Sequence, residues 1–378
     1  MSEKHLHIIS FDIPYPPYYG GVIDIFYKIK YLSEEGIKIH LHCFEYGRGE
    51  KGKLEQYCET VNYYKRNTSI FKHLSFKPYI VNSRISEKLI QNLLKDNYPV
   101  LFEGLHTCGI ISDTKFKNRF KIFRESNIEH HYYKQLCKSE RNILKKIFFF
   151  IEALKLKSFE SIVRYADLFL VVSKEDEKYF KEKYPANKVV YLPSFHQNNG
   201  VNSVTGFGNY VLYHGNLSVP ENISGAEYII NIFKDSDVKL IIAGLNPPEF
   251  LKIKIANCKN IELFANPSEE EMNELIKNAH INFLITFQET GLKLKLLNVL
   301  FLGRHCLANF EMLAGTGLYD LCEIKNSEKE FREEITELMK KEFTKDKIEK
   351  RKQILNKNFS NSENIKLLIS LIFNCRSY

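Results

Sequence analysis

Apolar positions along the chain follow two alternating rhythms, short continuous runs and wider stripes at helical spacing. The runs at Leu6–Phe11, Ile37–Phe44, Tyr98–Phe102, Lys121–Arg124, Asp167–Val172 and Val189–Leu192 are bounded by turn residues and predict strands. Between them, Val22–Glu35 predicts a helix closed by Gly36, residues 129–165 a long helical region, and Lys174–Tyr184 another helix. Alternation of this kind predicts a parallel sheet covered on both faces.

The rhythm stops at Pro193–Asn209, PSFHQNNGVNSVTGFGN, which is polar and rich in Gly and Asn. That composition marks a linker. A second series then begins. Strands are expected at 210–213, 238–243, 261–264, 281–285 and 304–308, and helices around 222–234, 268–278 and 292–302. Helices around 327–341 and 345–374 end the chain. Both series share one plan, so the expected fold class is α/β: two Rossmann-like domains with parallel sheets facing a central cleft. The bounds read 1–195, a linker at 196–209, and 210–360. In open parallel sheets ligands gather beyond the carboxyl ends of the strands, so the loops there are the places to look for chemistry.

Composition narrows the partners. Eight cysteines are scattered without a C-x-x-C pair, which suits free thiols in a reducing cytoplasm. The opening MSEKHLHIISFDI has no basic flank followed by a long apolar run, and no stretch of 18 uncharged apolar residues occurs, so neither a signal peptide nor a spanning helix is expected. Residues 1–200 carry 32 Lys+Arg against 23 Asp+Glu, a net of +9, whereas residues 201–378 carry 22 against 23. An anionic partner is therefore expected on the first half. Zinc-finger spacing and an RNP signature are both missing, so nucleic acid is not expected. The segment LKKIFFFIEALKLKSF (144–159) mixes lysines with three consecutive phenylalanines. It suits a helix lying on an anionic membrane surface; the alternative is a core helix with lysines along its exposed edge.

Five loops could hold a ligand. In IPYPPYYGGV (13–22), Gly20 and Gly21 precede a helix whose free N–H groups could meet a phosphate, or they are a plain turn. In VLFEGLHTCGI (100–110), Glu103 ends a strand and His106 follows, either as general base and sugar ligand or as a structural histidine. In FRESNIEHHYY (123–133), Arg124, Asn127 and Glu129 suit carbohydrate hydroxyls and Tyr132 or Tyr133 a sugar face, or they are a solvated helix start. In YVLYHGNLSVPEN, Gly215 and Asn216 repeat the first loop's geometry in the second series. The fifth is TGLKLKLLNVLFLG (290–303), where Lys293 and Lys295 interrupt an oily helix. Lys295 and Asn298 share a helical face while Leu292, Leu296 and Val299 form another stripe. A cation in a helix's first turn is unfavourable unless an anion joins it; the alternative is that both lysines snorkel. His5/His7 and His40/His42 read as packing or surface positions.

These parts together resemble the GT-B fold glycosyltransferases, in particular the broad bacterial group called family 4 or group 1. The resemblance rests on the early Gly-Gly loop, the strand-end His106, R-x-x-N-x-E-x-x-Y from Arg124 to Tyr132, ADLFLVVSKED at 166–176, VVYLPS at the boundary, VLYHGNLSVPEN, and GLKLKLLNVLFLG. It implies an N-terminal domain for a glycan or lipid-linked acceptor, a C-terminal domain for a nucleotide-diphosphate sugar (UDP- or GDP-linked), and a last helix, 361–378, crossing back to the first domain. It implies no metal and no cofactor. Lys293 and Lys295 would hold phosphate, Asn298 the ribose, and Gly20 and Gly21 would approach the diphosphate. His106 would stand near the reacting sugar. Glu289, Thr290, Gly291, Gly215 and Asn216 complete the implied donor contacts, and Glu103, Arg124, Asn127, Glu129 and Tyr132 the acceptor contacts. The chain departs from the pattern at Asn298, where the family commonly has Glu, and at Thr290, where it has an acid, with Glu289 displaced by one. The expected activity is metal-independent, retaining transfer of a hexose in the cytoplasm. The alternatives are a nucleotide-sugar epimerase of the same fold and a non-catalytic sugar-binding member.

Overall fold

The computed structural model describes residues 3–45, 47, 52–72, 75–140, 142–287 and 293–374. They divide into two compact units. The first takes in Met1–Gln197 together with Asn361–Tyr378, and the second Asn198–Glu289 with Lys293–Ser360.

The first unit is built on β1 (His5–Ser10), β2 (Lys38–Glu45), β3 (Thr60–Lys65), β4 (Val100–Glu103), β5 (Lys121–Arg124), β6 (Leu168–Val171) and β7 (Lys188–Tyr191). They form one parallel sheet in the order β3-β2-β1-β4-β5-β6-β7. The inner strands β4, β5 and β6 are buried along their whole length, as both-face coverage requires, while the edge strand β3 is mostly half-exposed. Side chains alternate between two cores. Leu6, Ile8, Leu101, Leu168 and Leu170 face one, and Ile9, Phe102, Phe169 and Val171 the other. The helices are α1 (Gly20–Glu34), α2 (Tyr79–Asn82), α3 (Glu87–Leu93), α4 (Glu129–Ser139), α5 (Ile143–Phe159) and α6 (Lys174–Lys183).

Two expectations are corrected here. Gly20 and Gly21 are not a loop but the first turn of α1. A Cβ on Gly21 would come within 2.7 Å of the Phe11 ring, so that glycine serves close packing. The helical region at 129–165 is a pair of packed helices, not one. The break has a local cause: the Asn142 side chain accepts from Leu144 and Lys145 N–H at 3.0 and 3.2 Å and so starts α5 afresh.

The four expected packing histidines form a continuous array. His5 and His40 approach at 3.1 Å, and His7 and His42 at 2.9 Å. His7 also meets Asp96 at 3.0 Å, and His42 the Tyr64 hydroxyl at 2.8 Å. Burial pulls His7 down to about 4, against the pull of Asp96. Burial and its histidine neighbours hold His42 well below its usual value. Both rings are therefore neutral in the fold yet protonate near 6.5 once unfolded. Their stabilisation is whole above pH 6.5 and is lost as pH falls from there toward 4. His7 alone should contribute a loss of about 2 kcal/mol between pH 7.5 and pH 5. Urea midpoints at the two pH values test this; equal midpoints would contradict it.

The second unit carries β8 (Val211–Asn216), α7 (Pro220–Phe233), β9 (Leu240–Leu245), α8 (Glu249–Ala256), β10 (Ile261–Ala265), α9 (Glu269–Asn278), β11 (Ile281–Leu284), α10 (Leu294–Leu302), β12 (His305–Ala308), α11 (Phe310–Leu313), β13 (Glu323–Ile324), α12 (Glu328–Leu338) and α13 (Lys345–Asn358). Its parallel sheet runs β10-β9-β8-β11-β12-β13. Ser268 and Ser327 each start a helix through a reciprocal capping box with Glu271 and Glu330. The polar stretch after Pro193 is held down at several points. Phe195 sits in the first unit's core, Asn202 N–H donates to Phe301 O at 2.7 Å, and Gly206 bridges Phe343.

The last helix, α14 (Asn361–Ile369), belongs to the first unit. Ile365 and Leu368 enter its core beside Val22 and Ile25. Asn361 clamps the His196 backbone, donating to its O at 2.8 Å and accepting from its N–H at 3.2 Å.

Candidate functional site

Strand order reverses between β8 and β11 in the second unit, and between β1 and β4 in the first. Such reversals open the sheet's carboxyl edge to ligands. Polar groups concentrate at both.

In the second unit the centre is Lys295, on the first turn of α10. Its Nζ lies 3.4 Å from Asn222 Oδ1, 3.5 Å from Ile285 O and 6.0 Å from the centre of the Tyr213 ring. Among the described residues, no carboxylate lies within ion-pair distance of it. Burial lowers its pKa to about 8; Glu221 opposes the shift and Lys293 adds to it. The ammonium thus stays mostly charged at pH 7, and among the described residues it is held by long contacts to neutral oxygens. Asn222, near the start of α7, is fixed by donating to Asn216 O at 2.9 Å. A Cβ on Gly215 would press on the Asn222 side chain at 3.0 Å, so the glycine makes room for this arrangement. Asn216 itself closes the turn after β8, accepting from Ser218 N–H at 3.0 Å. Glu221 accepts from the Thr286 hydroxyl, and Asn309 brackets Thr286 by donating to its O at 2.6 Å and accepting from its N–H at 3.1 Å.

Among the described residues two buried polar atoms here have no hydrogen-bond partner: Asn298 Oδ1, one turn along α10, and His214 Nδ1, in β8. Burial, with Lys295 beside it, drops His214 to about 3, so it is a neutral ring. Lys293 does not sit in the first turn as expected. It is the residue before the helix, at φ −80° and ψ 97°, and Lys295 is the cation in the first turn. Glu289, Thr290 and Gly291 lie outside the described residues.

In the first unit, His106 follows β4. Gly104 turns the chain at φ +69°, and a Cβ there would reach His106 Nδ1 at 3.0 Å. The imidazole lies 5.0 Å from the Phe11 ring, and its Nδ1 is 3.7 Å from Glu129 Oε1. That contact is not an ion pair. Burial, with Arg84 and Arg66 near, holds the imidazole well below its usual value, and burial pushes Glu129 up to about 8. A neutral acid therefore faces a neutral ring. Arg84 is fixed by Phe11 O at 2.8 Å and Ile80 O at 2.6 Å. Asn127 is half-buried in the turn before α4, and Tyr132 is half-buried with its ring against Tyr133.

Glu103 and Arg124 are corrected outright. Neither presents a charge to an acceptor. Both are buried in an ionic network with Lys28 and Asp24. Lys28 meets Glu103 at 2.6 Å and Asp24 at 3.1 Å, and Arg124 meets Asp24 at 3.1 and 3.2 Å. Arg124 also donates to Leu192 O at 2.6 Å and to Pro193 O at 3.2 Å.

Sequence reasoning missed Glu221, Asn222, Thr286, Asn309 and Arg84. Asn222 and Glu221 lay in the quoted VLYHGNLSVPEN stretch, but nothing in its spacing pointed them at Lys295. Among the described residues no group of three or more His, Cys, Asp or Glu is placed to hold a metal ion.

With this geometry in view, the fold can be compared with known ones. Anabaena HepE, solved with UDP and glucose, superposes at a TM-score of 0.65, with 11% identity over 98% of this chain and 100% of that one. A mutant of S. aureus TarM, solved with fondaparinux, alpha-GlcNAc-glycerol and UDP, gives 0.67, with 11% identity over 99% and 100%. The fold is GT-B: α/β, with two parallel sheets. No family model matches the chain. An uncharacterised 44.6 kDa protein in the cps region of Klebsiella pneumoniae is 30% identical over 314 residues, 78% of this chain and 79% of that one. The chain belongs to the same family as that protein.

Proposed function

We propose that the protein is a glycosyltransferase, taking a hexose from a UDP- or GDP-linked sugar and passing it to a hydroxyl of a glycan or lipid-linked acceptor. The observation that carries this reading is Lys295, a buried ammonium at the strand reversal with no carboxylate among the described residues paired to it. A diphosphate would supply the missing counter-charge. Asn298 Oδ1, without a donor among the described residues, would take a ribose hydroxyl. The UDP complexes of HepE and TarM support the nucleotide class for a chain of this fold.

The chemistry follows from charge. As the bond from the anomeric carbon to the diphosphate breaks, negative charge gathers on the phosphate oxygens and the sugar becomes oxocarbenium-like. An ammonium fixed beforehand stabilises the first without reorganising. In this reading Lys295, with Lys293 beside it, does the work a metal would otherwise do, and the anomeric configuration is retained. In the first unit, neutral His106 beside neutral Glu129 offers a ring nitrogen and a carboxylic proton to sugar hydroxyls. The described cysteines are free thiols, which supports a reducing, cytoplasmic setting.

A thermal-shift panel of UDP, GDP, ADP, CMP and dTDP tests the reading. At about 100 times its dissociation constant, the fitting diphosphate should add about 2.7 kcal/mol and raise the melting temperature selectively. No shift with any nucleotide at millimolar concentration would overturn it.

A further inference from the structure

Helix α5 carries an apolar face that the fold leaves uncovered. Ile143, Leu144, Ile147, Phe150, Ile151 and Leu154 are each between 45% and 75% exposed. At about 100° per residue they fall within one arc of about 120°, along a helix about 25 Å long. The opposite face, Glu152, Ala153 and Leu156, is the buried one. Six neighbouring large apolar side chains in water make a patch that marks an interaction site.

Its rim identifies the partner. On the same wheel Lys146 and Lys157, both exposed, stand within about 40° of one edge of the stripe, whereas Lys155 near the other edge is paired with Glu152 at 3.0 Å. A second copy packed on this face about a two-fold axis would bring lysine rims of like charge together. An anionic bilayer would meet the rims with opposite charge and take the stripe into its acyl boundary. A second exposed aromatic is tied to the same helix. Tyr79 N–H donates to Glu152 of α5 at 2.6 Å, and the segment just before it carries Phe76, 99% exposed, and Lys77. Among the described residues no helix is long and apolar enough to cross a membrane, so the contact is with the surface.

We infer that α5 docks the protein on an anionic membrane surface, its apolar stripe entering the headgroup boundary and its lysines pairing with lipid charge. Each lysine near such a surface strengthens the attachment, and salt screens that contribution. The inference goes beyond the sugar-transfer reading and needs no sugar to be tested, so either can fail alone.

The chain contains no tryptophan. Phe150→Trp, at an exposed position, therefore installs a sole indole reporter. In the full chain at low salt, vesicles of phosphatidylglycerol and phosphatidylcholine should blue-shift its emission and sediment the protein. Pure phosphatidylcholine vesicles, or 0.5 M salt, should reduce both at least tenfold. Ile147→Glu with Leu154→Glu, both exposed and so tolerable to the fold, should abolish sedimentation with melting temperature unchanged. Lys146→Glu with Lys157→Glu should do the same. Unshifted emission with anionic vesicles would overturn the proposal. So would sedimentation equal in the glutamate variants, or a blue shift that rises with protein concentration without lipid, which would mark self-association.

Discussion

Lys295→Met is expected to weaken nucleoside-diphosphate binding by about 10- to 150-fold, the worth of one charge-assisted hydrogen bond of about 1.5–3 kcal/mol. The same change is expected to stabilise the free protein. Burying the ammonium lowers its pKa from 10.5 to about 8, so keeping it charged at neutral pH costs on the order of 3 kcal/mol. Methionine has similar length and carries no such cost. The sign follows from linkage. A lysine whose folded pKa is depressed destabilises the fold while it is charged, below about pH 8, and that penalty fades as pH rises from 8 toward 10.5. The stability gap between variant and wild type should therefore be widest near pH 7 and close by about pH 10.5. Affinity of the wild type should fall as pH rises through 8, because an arriving anion needs the proton in place. Urea unfolding and isothermal calorimetry at pH 7 and 9 read both arms. A variant that is less stable yet binds normally would remove Lys295 from the site. Opposite movement of stability and affinity is what a residue kept for function at the fold's expense produces.

Why some of this could be read in advance and some could not comes down to the reach of local signals. Central strands such as Val100–Glu103 and Leu168–Val171 are buried on both faces and so write themselves as unbroken apolar runs. The edge strand Thr60–Lys65 has no such obligation, and TVNYYK was not among the expected strands. Nor was β13, two residues long at the other sheet's edge. Lys295 stood out because a cation among leucines is locally improbable. Its contacts to Asn222 and Ile285 are not local and left no trace in the spacing. Glu103 and Arg124 misled for the same reason. A charged residue at a strand's end looks alike whether it awaits a ligand or joins a core network, and the partner that decides, Asp24, is 100 residues from Arg124. His106 and Glu129 were each singled out, but that they face each other, both neutral, is a consequence of burial that periodicity does not report.

The core network supplies the largest expected loss of stability. Asp24 accepts from Lys28 at 3.1 Å, from Arg124 at 3.1 and 3.2 Å, and from Phe195 N–H at 2.7 Å. Burial alone would raise its pKa, but Arg124 and Lys28 outweigh burial and hold it at about 2. Asp24→Asn keeps the shape and removes the charge. Two buried cations then share one carboxylate, Glu103, whose own pKa burial raises. Stranding a buried charge costs about 3–5 kcal/mol. Adding Lys28→Met should recover part of that loss, because the second change removes the stranded ammonium; the two effects will therefore not add. Chemical denaturation of both single variants and the double measures this. A loss under about 1 kcal/mol for Asp24→Asn, or additive effects, would mean that water or local rearrangement relieves the charge. The consequence would not stop at stability. Asp24 and Arg124 together grip the backbone of Leu192, Pro193 and Phe195, where the chain leaves the first unit. Loosening that grip should show as faster amide exchange at Phe195 before any global unfolding, placing the ionic network in the path by which the chain passes from one sheet to the next.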